Sequence, residues 1–411
     1  MHAEFPARSG RGLKDRDVYI VDGLPGQGSG MKRFAAILMV LALLSVSAGA
    51  GAKYTPPYPV EPTADVWRTY DPELHYFYQQ LTDAEKRRFS SRYDCVALGK
   101  PDLWQYPCGD LSYLSIARVN YVLLFDCPEL MYLPDDYADS LALIRKPDDA
   151  FCASHPVLMA ERLFLCMEAL DRIRQEPEWG ESEFEKELAA DRYFVRHCQY
   201  RTEEDLGRGE KPDERLRTAY GALVYGKAVC EGYAAAMTLA MRCFGIPCVR
   251  TNGVYYSEKG QASGHSWNIV QIDGEWYHED PTWNDTDDEA EPEDFFPFFN
   301  NPSNDVYAVL RNDPLRGELN LRNPFCMSDR ENYYVRKGQS VGENWQKEIA
   351  AIVSNARSEG KHAVGIRFPD SVTRDSALET IRSSGLFLFG LMFLRMGAEP
   401  IWGSKVLYLF W

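Results

Sequence analysis

The chain has no Cys-x-x-Cys pair and no cysteine–histidine spacing of the zinc-site kind, which excludes a zinc ribbon or finger as its organising element. It has no internal repeat and no low-complexity array, so it is not a solenoid. It also lacks an unbroken apolar run of about 20 residues, the length a membrane-crossing helix needs. Basic residues are outnumbered, with 45 Lys and Arg against 61 Asp and Glu and a formal net charge of -16. That balance argues against nucleic acid and anionic membrane surfaces as partners. Nor is the composition that of a disordered chain: 45% of residues are hydrophobic and 13% aromatic, enough to bury large cores. A length of 411 residues implies two or three domains.

What is present begins with an unusual N-terminus. Residues 1–30 are rich in Gly and Arg and carry no apolar period. Met31-Lys-Arg then opens an almost wholly apolar run from Phe34 to Val46, followed by small residues around Ala48, Ala50 and Ala52. A charged start, an apolar run of roughly 13 residues and a small-residue cleavage site describe a signal peptide. The expectation is therefore translation from Met31, with residues 1–30 a gene-model extension, 31–52 a signal peptide, and an exported (secreted or cell-surface) product. Export permits disulfides among the ten cysteines. Cys95 lies near Cys108 in sequence, and Cys243 near Cys248, but spacing fixes no pairing.

Residues 53–65 are proline-rich and read as a linker. Residues 66–180 read as a helical N-terminal domain. Thr82-Asp-Ala-Glu85 is a capping-box pattern, a helix follows Asp110-Leu-Ser and stops before Pro128, and Pro156 fits the first turn of a helix reaching about Arg174. Another helix runs from Ser182 to Cys198. Residues 181–300 form a core, with an acidic stretch from Asp285 to Asp294 that lacks the layout of a calcium loop and an aromatic cluster from Phe295 to Phe299. Residues 305–411 read as a small α+β domain. Its strands are expected at Tyr333–Arg336, His362–Phe368, Leu386–Leu394 and Val406–Trp411, and its helices at Trp345–Ala356 and Asp375–Arg382.

The stretch from Gly226 to Asp285 carries the chemistry. Cys230 precedes a run of small residues that opens a helix ending at Gly245. A cysteine in a first turn meets the positive end of the helix dipole, which favours the thiolate and offers backbone N–H groups to an oxyanion. Downstream, Asp273-Gly274 is a strong two-residue hairpin signal. With that loop, Ile272 faces Glu275 and Trp267 faces Asp280. His265 and Asp280 then share one face and lie diagonal to each other. A longer loop would separate them. His278 lies on the same face and is a rival base. Trp267, Trp276, Trp283, Tyr233 and Tyr277 are candidate cleft or core aromatics.

The segments Gly-Lys-Ala-Val-Cys230-Glu-Gly-Tyr-Ala, Gly-His265-Ser-Trp-Asn-Ile-Val and Asp280-Pro-Thr-Trp-Asn-Asp resemble the transglutaminase-like superfamily, in its bacterial exported branch. Ser266 stands where the pattern often has alanine. The resemblance implies an α+β fold: a helical N-terminal domain, a papain-like transglutaminase core and a small α+β C-terminal domain. It implies Cys230 as nucleophile, His265 as base and Asp280 as orienter, with no cofactor and a protein or peptide substrate. The outcome stays open between acyl transfer to an amine and hydrolysis by a cysteine peptidase or amidase acting on peptides or cell-wall stems. A non-catalytic surface module is the remaining alternative.

Overall fold

The computed structural model describes residues 74–105, 110–130, 146–201, 213–256, 261–285, 295–307, 309–384, 397–401 and 403–411. The expected signal peptide, the proline-rich linker, Cys108, nearly all of the acidic stretch and the strand expected at Leu386–Leu394 fall outside these residues.

The helical layer comprises α1 (Asp83–Leu98), α2 (Tyr113–Asp126), α3 (Asp149–Ile173) and α4 (Glu183–His197). Their starts are set by side chains that satisfy the orphan N–H groups of a first turn. Thr82 with Glu85, and Ser182 with Glu185, form complete capping boxes. Ser112 caps α2 and Asp148 caps α3. The start of α3 corrects the expectation that Pro156 opens this helix. Asp148 captures the Phe151 N–H at 2.7 Å, so the helix is under way a full two turns before the proline, which lies inside it. Among the described residues, α3 is also the one helix long and apolar enough to cross a membrane by length and composition. Here Leu163, Cys166, Leu170 and Ile173 of its inner face are buried in the main core.

Two short parallel strands follow, β1 (Gln199–Tyr200) beside β2 (Lys227–Ala228). The chain then runs into α5 (Cys230–Cys243), β3 (Cys248–Tyr256), β4 (Ala262–Ile272), β5 (Glu275–Glu279), the short helices α6 (Pro281–Asn284) and α7 (Ser303–Val306), β6 (Leu310–Asn312) and α8 (Pro314–Glu318). The main sheet is antiparallel, in the order β5-β4-β3-β6. The alanine-rich α5 lies on β3 and β4, and Ala235, Met237, Leu239, Val249, Ile269 and Val270 share one core with Phe77, Leu123 and Phe194 of the helical layer. Buried arginines link the layers. Arg242 on α5 binds Asp126 on α2, and Arg316 donates to the Tyr121 hydroxyl and the Asn252 carbonyl.

Gly253 pairs with His265 on one side and Asn312 on the other. A Cβ there would stand 1.9 Å from the Arg311 carbonyl oxygen, so only glycine lets β6 lie this close. Gly253→Ala should cost about 1–3 kcal/mol, in the range for overpacked sites, read as a lower urea midpoint.

The C-terminal unit contains α9 (Tyr333–Arg336), α10 (Trp345–Ser358), β7 (Ala363–Arg367), α11 (Ser371–Ser384), β8 (Gly397–Pro400) and β9 (Val406–Phe410). Its sheet is antiparallel, in the order β7-β9-β8. Ile349, Val353, Ile366, Phe368, Leu378 and Leu409 make a second core. The expected strand at Tyr333–Arg336 is a helical turn instead. Asn332 caps it through the Tyr334 N–H at 3.2 Å, and Gly338 leaves it at φ 66°. A local cap thus overrides the β-propensity of two tyrosines and a valine.

Candidate active site

Cys230 is the first residue of α5. Val229 before it has no side chain able to cap, so the first N–H groups of the helix are left for another acceptor. Among the described cysteines Cys230 alone is not buried. Small residues place the helix: a Cβ on Gly232 would meet the Leu216 carbonyl oxygen at 2.3 Å. At its other end α5 stops at Cys243 and turns through Gly245 at φ 78°.

His265 comes from the hairpin. Asp273 and Gly274 have φ of 49° and 81°, the double positive-φ turn that matches strand twist. The register is Ile272 opposite Glu275 through to Asn268 opposite Glu279, as the two-residue loop requires. Beyond the end of that ladder, across a diagonal, His265 Nε2 and Asp280 Oδ2 are 2.6 Å apart. Asp280 performs two tasks. Its other oxygen accepts the Trp283 N–H at 3.2 Å as the N-cap of α6, which fixes the carboxylate between helix and histidine.

With Nε2 committed to Asp280, Nδ1 is the ring nitrogen left for Cys230. Burial disfavours the charged ring, but the Asp280 carboxylate, its hydrogen bond and the nearby Cys230 outweigh it and push the imidazole up to about 10. The ring is held between two indoles, stacked on Trp283 at 4.4 Å and on Trp267 at 6.1 Å. His265 therefore binds a proton more tightly folded than unfolded. Its contribution to stability is complete below about pH 6.5 and is lost as pH rises through the folded value. We expect the urea stability of the native protein to fall by about 2–4 kcal/mol more than that of His265→Gln between pH 7 and 10.5.

His278, the rival base, is engaged elsewhere. Its Nδ1 accepts the Trp267 Nε1–H at 3.0 Å and its Nε2 donates to Ser303 Oγ at 3.1 Å. Burial, with Arg316 nearby, pushes it down to about 3, so it is a neutral prop for Trp267. Of the other aromatics, Tyr233 and Tyr277 are fully buried, Tyr233 donating to the Asp285 carboxylate, and Trp276 packs on Tyr76.

Two phenols missed by sequence reading lie near enough to Cys230 to feel its charge. Tyr200 and Tyr255 are both raised, first by burial and also by the charge of Cys230, so each keeps its proton. Tyr200 arrives through the β1–β2 pairing, in strands of two residues that carry no readable period. Behind Asp280 lie the buried carboxyls of Glu187, Asp191 and Glu279. Asn284 donates to Asp191 at 2.9 Å and to Glu279 at 3.2 Å, and Asn300 donates to Glu187 at 2.6 Å. Burial pushes all three carboxyls up. Among the described residues no group of His, Cys, Asp and Glu is arranged to hold a metal ion.

The helix-start cysteine and the bonded histidine–aspartate pair all lie in the stretch that matches known proteins. Residues 172–281 match the transglutaminase-like superfamily. This is a superfamily of papain-like cysteine enzymes, and the matched segment holds Cys230, His265 and Asp280. A search of curated proteins found no match. Among solved structures, a candidate cysteine protease from Cytophaga hutchinsonii is similar at 17% identity and a TM-score of 0.22, covering 28% of this chain and 37% of that one. A structure described as a TGase is similar at 20% identity and a TM-score of 0.24, covering 34% of this chain and 35% of that one. The chain thus spans little more than a third of the length of these two structures.

Proposed function

We propose that the protein is an exported cysteine acyltransferase of the transglutaminase-like kind, acting on amides of proteins or peptides through Cys230, His265 and Asp280. The observation that carries this reading is the 2.6 Å contact between His265 Nε2 and Asp280 Oδ2, which leaves the other ring nitrogen for Cys230. In the resting site the imidazolium and the cysteine sulfur share a proton, and Asp280 holds the ring's orientation and charge. The sulfur attacks the carboxamide carbonyl. Negative charge gathers on the carbonyl oxygen, where the uncapped N–H groups at the start of α5 receive it. His265 gives its proton to the departing amine, leaving a thioester. An incoming amine, deprotonated by the now neutral imidazole, takes the acyl group and restores the thiol.

The same geometry accepts water in place of the amine, which would give an amidase or peptidase. Supply of the second nucleophile decides between them. Ammonia release from a glutamine peptide, measured with and without a primary amine, tests the reading. Amine-dependent product that vanishes in Cys230→Ala supports transfer, whereas ammonia release with no amine incorporated at saturating amine would replace it with hydrolysis. If Cys230 resists iodoacetamide in the folded protein, both enzymatic readings fail. The proposal of export from Met31 has its own check: the native product should contain no peptide from residues 1–52.

A further inference from the structure

The face where α1 meets α3 holds two cysteines that the catalytic reading does not use. Gly99 caps α1 at φ 61° and presses on α3: a Cβ there would stand 2.1 Å from the Cys152 carbonyl oxygen. The approach is this close for a chemical reason. Pro156, four residues after Cys152, has no N–H to donate back to that carbonyl, and its ring reaches the same spot, 3.1 Å from the imagined Cβ. Cys95 lies four residues before Gly99 and so projects from the same face of α1. Its backbone is fixed, because its carbonyl accepts the N–H groups of both Gly99 and Lys100. Burial first, and the neighbouring Cys152 side chain with it, push the Cys95 thiol up.

We propose that Cys95 and Cys152 form a disulfide that ties α1 to α3 when the chain meets a thiol-oxidising environment. Their placement differs from that of the sequence-adjacent pairs: Cys243 and Cys248 are both free thiols in the core, and Cys248 faces Thr238 and Asn268. Exposure sets the order of events. Cys152 is 7% exposed and Cys95 fully buried, so Cys152 is the sulfur an outside reagent reaches. As thiolate it attacks one sulfur of an oxidised dithiol or of oxidised glutathione, expelling the other as a thiol and forming a mixed disulfide. Cys95 then gives up its proton and attacks the Cys152 sulfur, expelling the second thiol of the reagent. Two thiols of the protein are oxidised and one disulfide of the reagent is reduced. The link closes a loop over residues 96–151, which restricts the unfolded chain.

This inference does not depend on Cys230, and its test is separate. The reduced full-length protein is equilibrated with oxidised and reduced glutathione, quenched with acid, blocked with N-ethylmaleimide and digested without reduction. The expected product is a cross-linked peptide pair joining Cys95 to Cys152. The oxidised protein should also unfold at a higher urea concentration than the reduced one, a gain that Cys95→Ser/Cys152→Ser lacks. Recovery of both cysteines as maleimide adducts overturns the proposal, and so does a link from Cys95 to Cys108. The peptide map decides the matter even where the double variant does not fold.

Discussion

Asp280→Asn should lower the rate of acyl transfer by about 10³–10⁴-fold, the scale seen when a triad carboxylate becomes an amide, while leaving the start of α6 intact. The two halves of this expectation come from the two oxygens of one side chain. Asparagine caps a helix as well as aspartate does, so the bond from the Trp283 N–H persists and α6 keeps its start. The other oxygen supplies the negative charge that outweighs burial at His265. Without it, burial dominates and the ring turns neutral. An amide facing Nε2 also favours the tautomer with its proton on the cysteine side, which cannot act as base. Alkylation of Cys230 by iodoacetamide at neutral pH should be slower in the variant than in the native protein. Retention of more than a tenth of the native rate would remove Asp280 from the mechanism.

The largest loss of stability should come from Arg242→Met, at about 3–5 kcal/mol, the usual cost of stripping a buried charge of its partner. Arg242 and Asp126 are 1% and 0% exposed. Burial pushes the Asp126 carboxyl up against the pull of Arg242, and its second oxygen takes the Tyr78 N–H at 2.9 Å. Arg242 also donates to the carbonyls of Asp126 and Cys248. Removing the arginine leaves an uncompensated acid between α2 and α5. A double variant, Asp126→Asn with Arg242→Met, should recover part of the loss, and a double-mutant cycle in urea would measure the coupling. The site depends on this pair indirectly, since α5 carries Cys230 at its far end.

The parts of the site readable in the sequence were those governed by short-range rules. Asp273-Gly274 selects one turn, the turn selects one register, and the register puts His265 beside Asp280. Thr82 and Ser182, each followed by glutamate at the third position, marked two helix starts for the same reason. What stayed hidden depended on contacts far apart in sequence. Nothing local announces that Pro156 is tolerated inside a helix because Gly99 packs on the carbonyl it leaves bare. Nothing local brings Tyr200 to Cys230, since two-residue strands have no period. Glu187 and Asp191 sit in a helix rich in charge, where solvated faces are the rule, and only the fold turns them inward beside Glu279. His278 looked equivalent to His265 by face alone. The indole of Trp267 and the hydroxyl of Ser303, from separate parts of the chain, assign it a different task.

The stacking of His265 on Trp283 gives the protein an optical gauge of its own proton. A charged imidazole in van der Waals contact with an indole accepts excited-state electron density and quenches emission, whereas a neutral imidazole does so weakly. Fluorescence from Trp283 should therefore stay dim through neutral pH and brighten as the ring discharges near pH 10. In Asp280→Asn the brightening should move to lower pH, and in Trp283→Phe it should shrink to what the more distant Trp267 contributes. Emission followed during a single turnover would then register the moment at which the histidine hands its proton to the leaving amine.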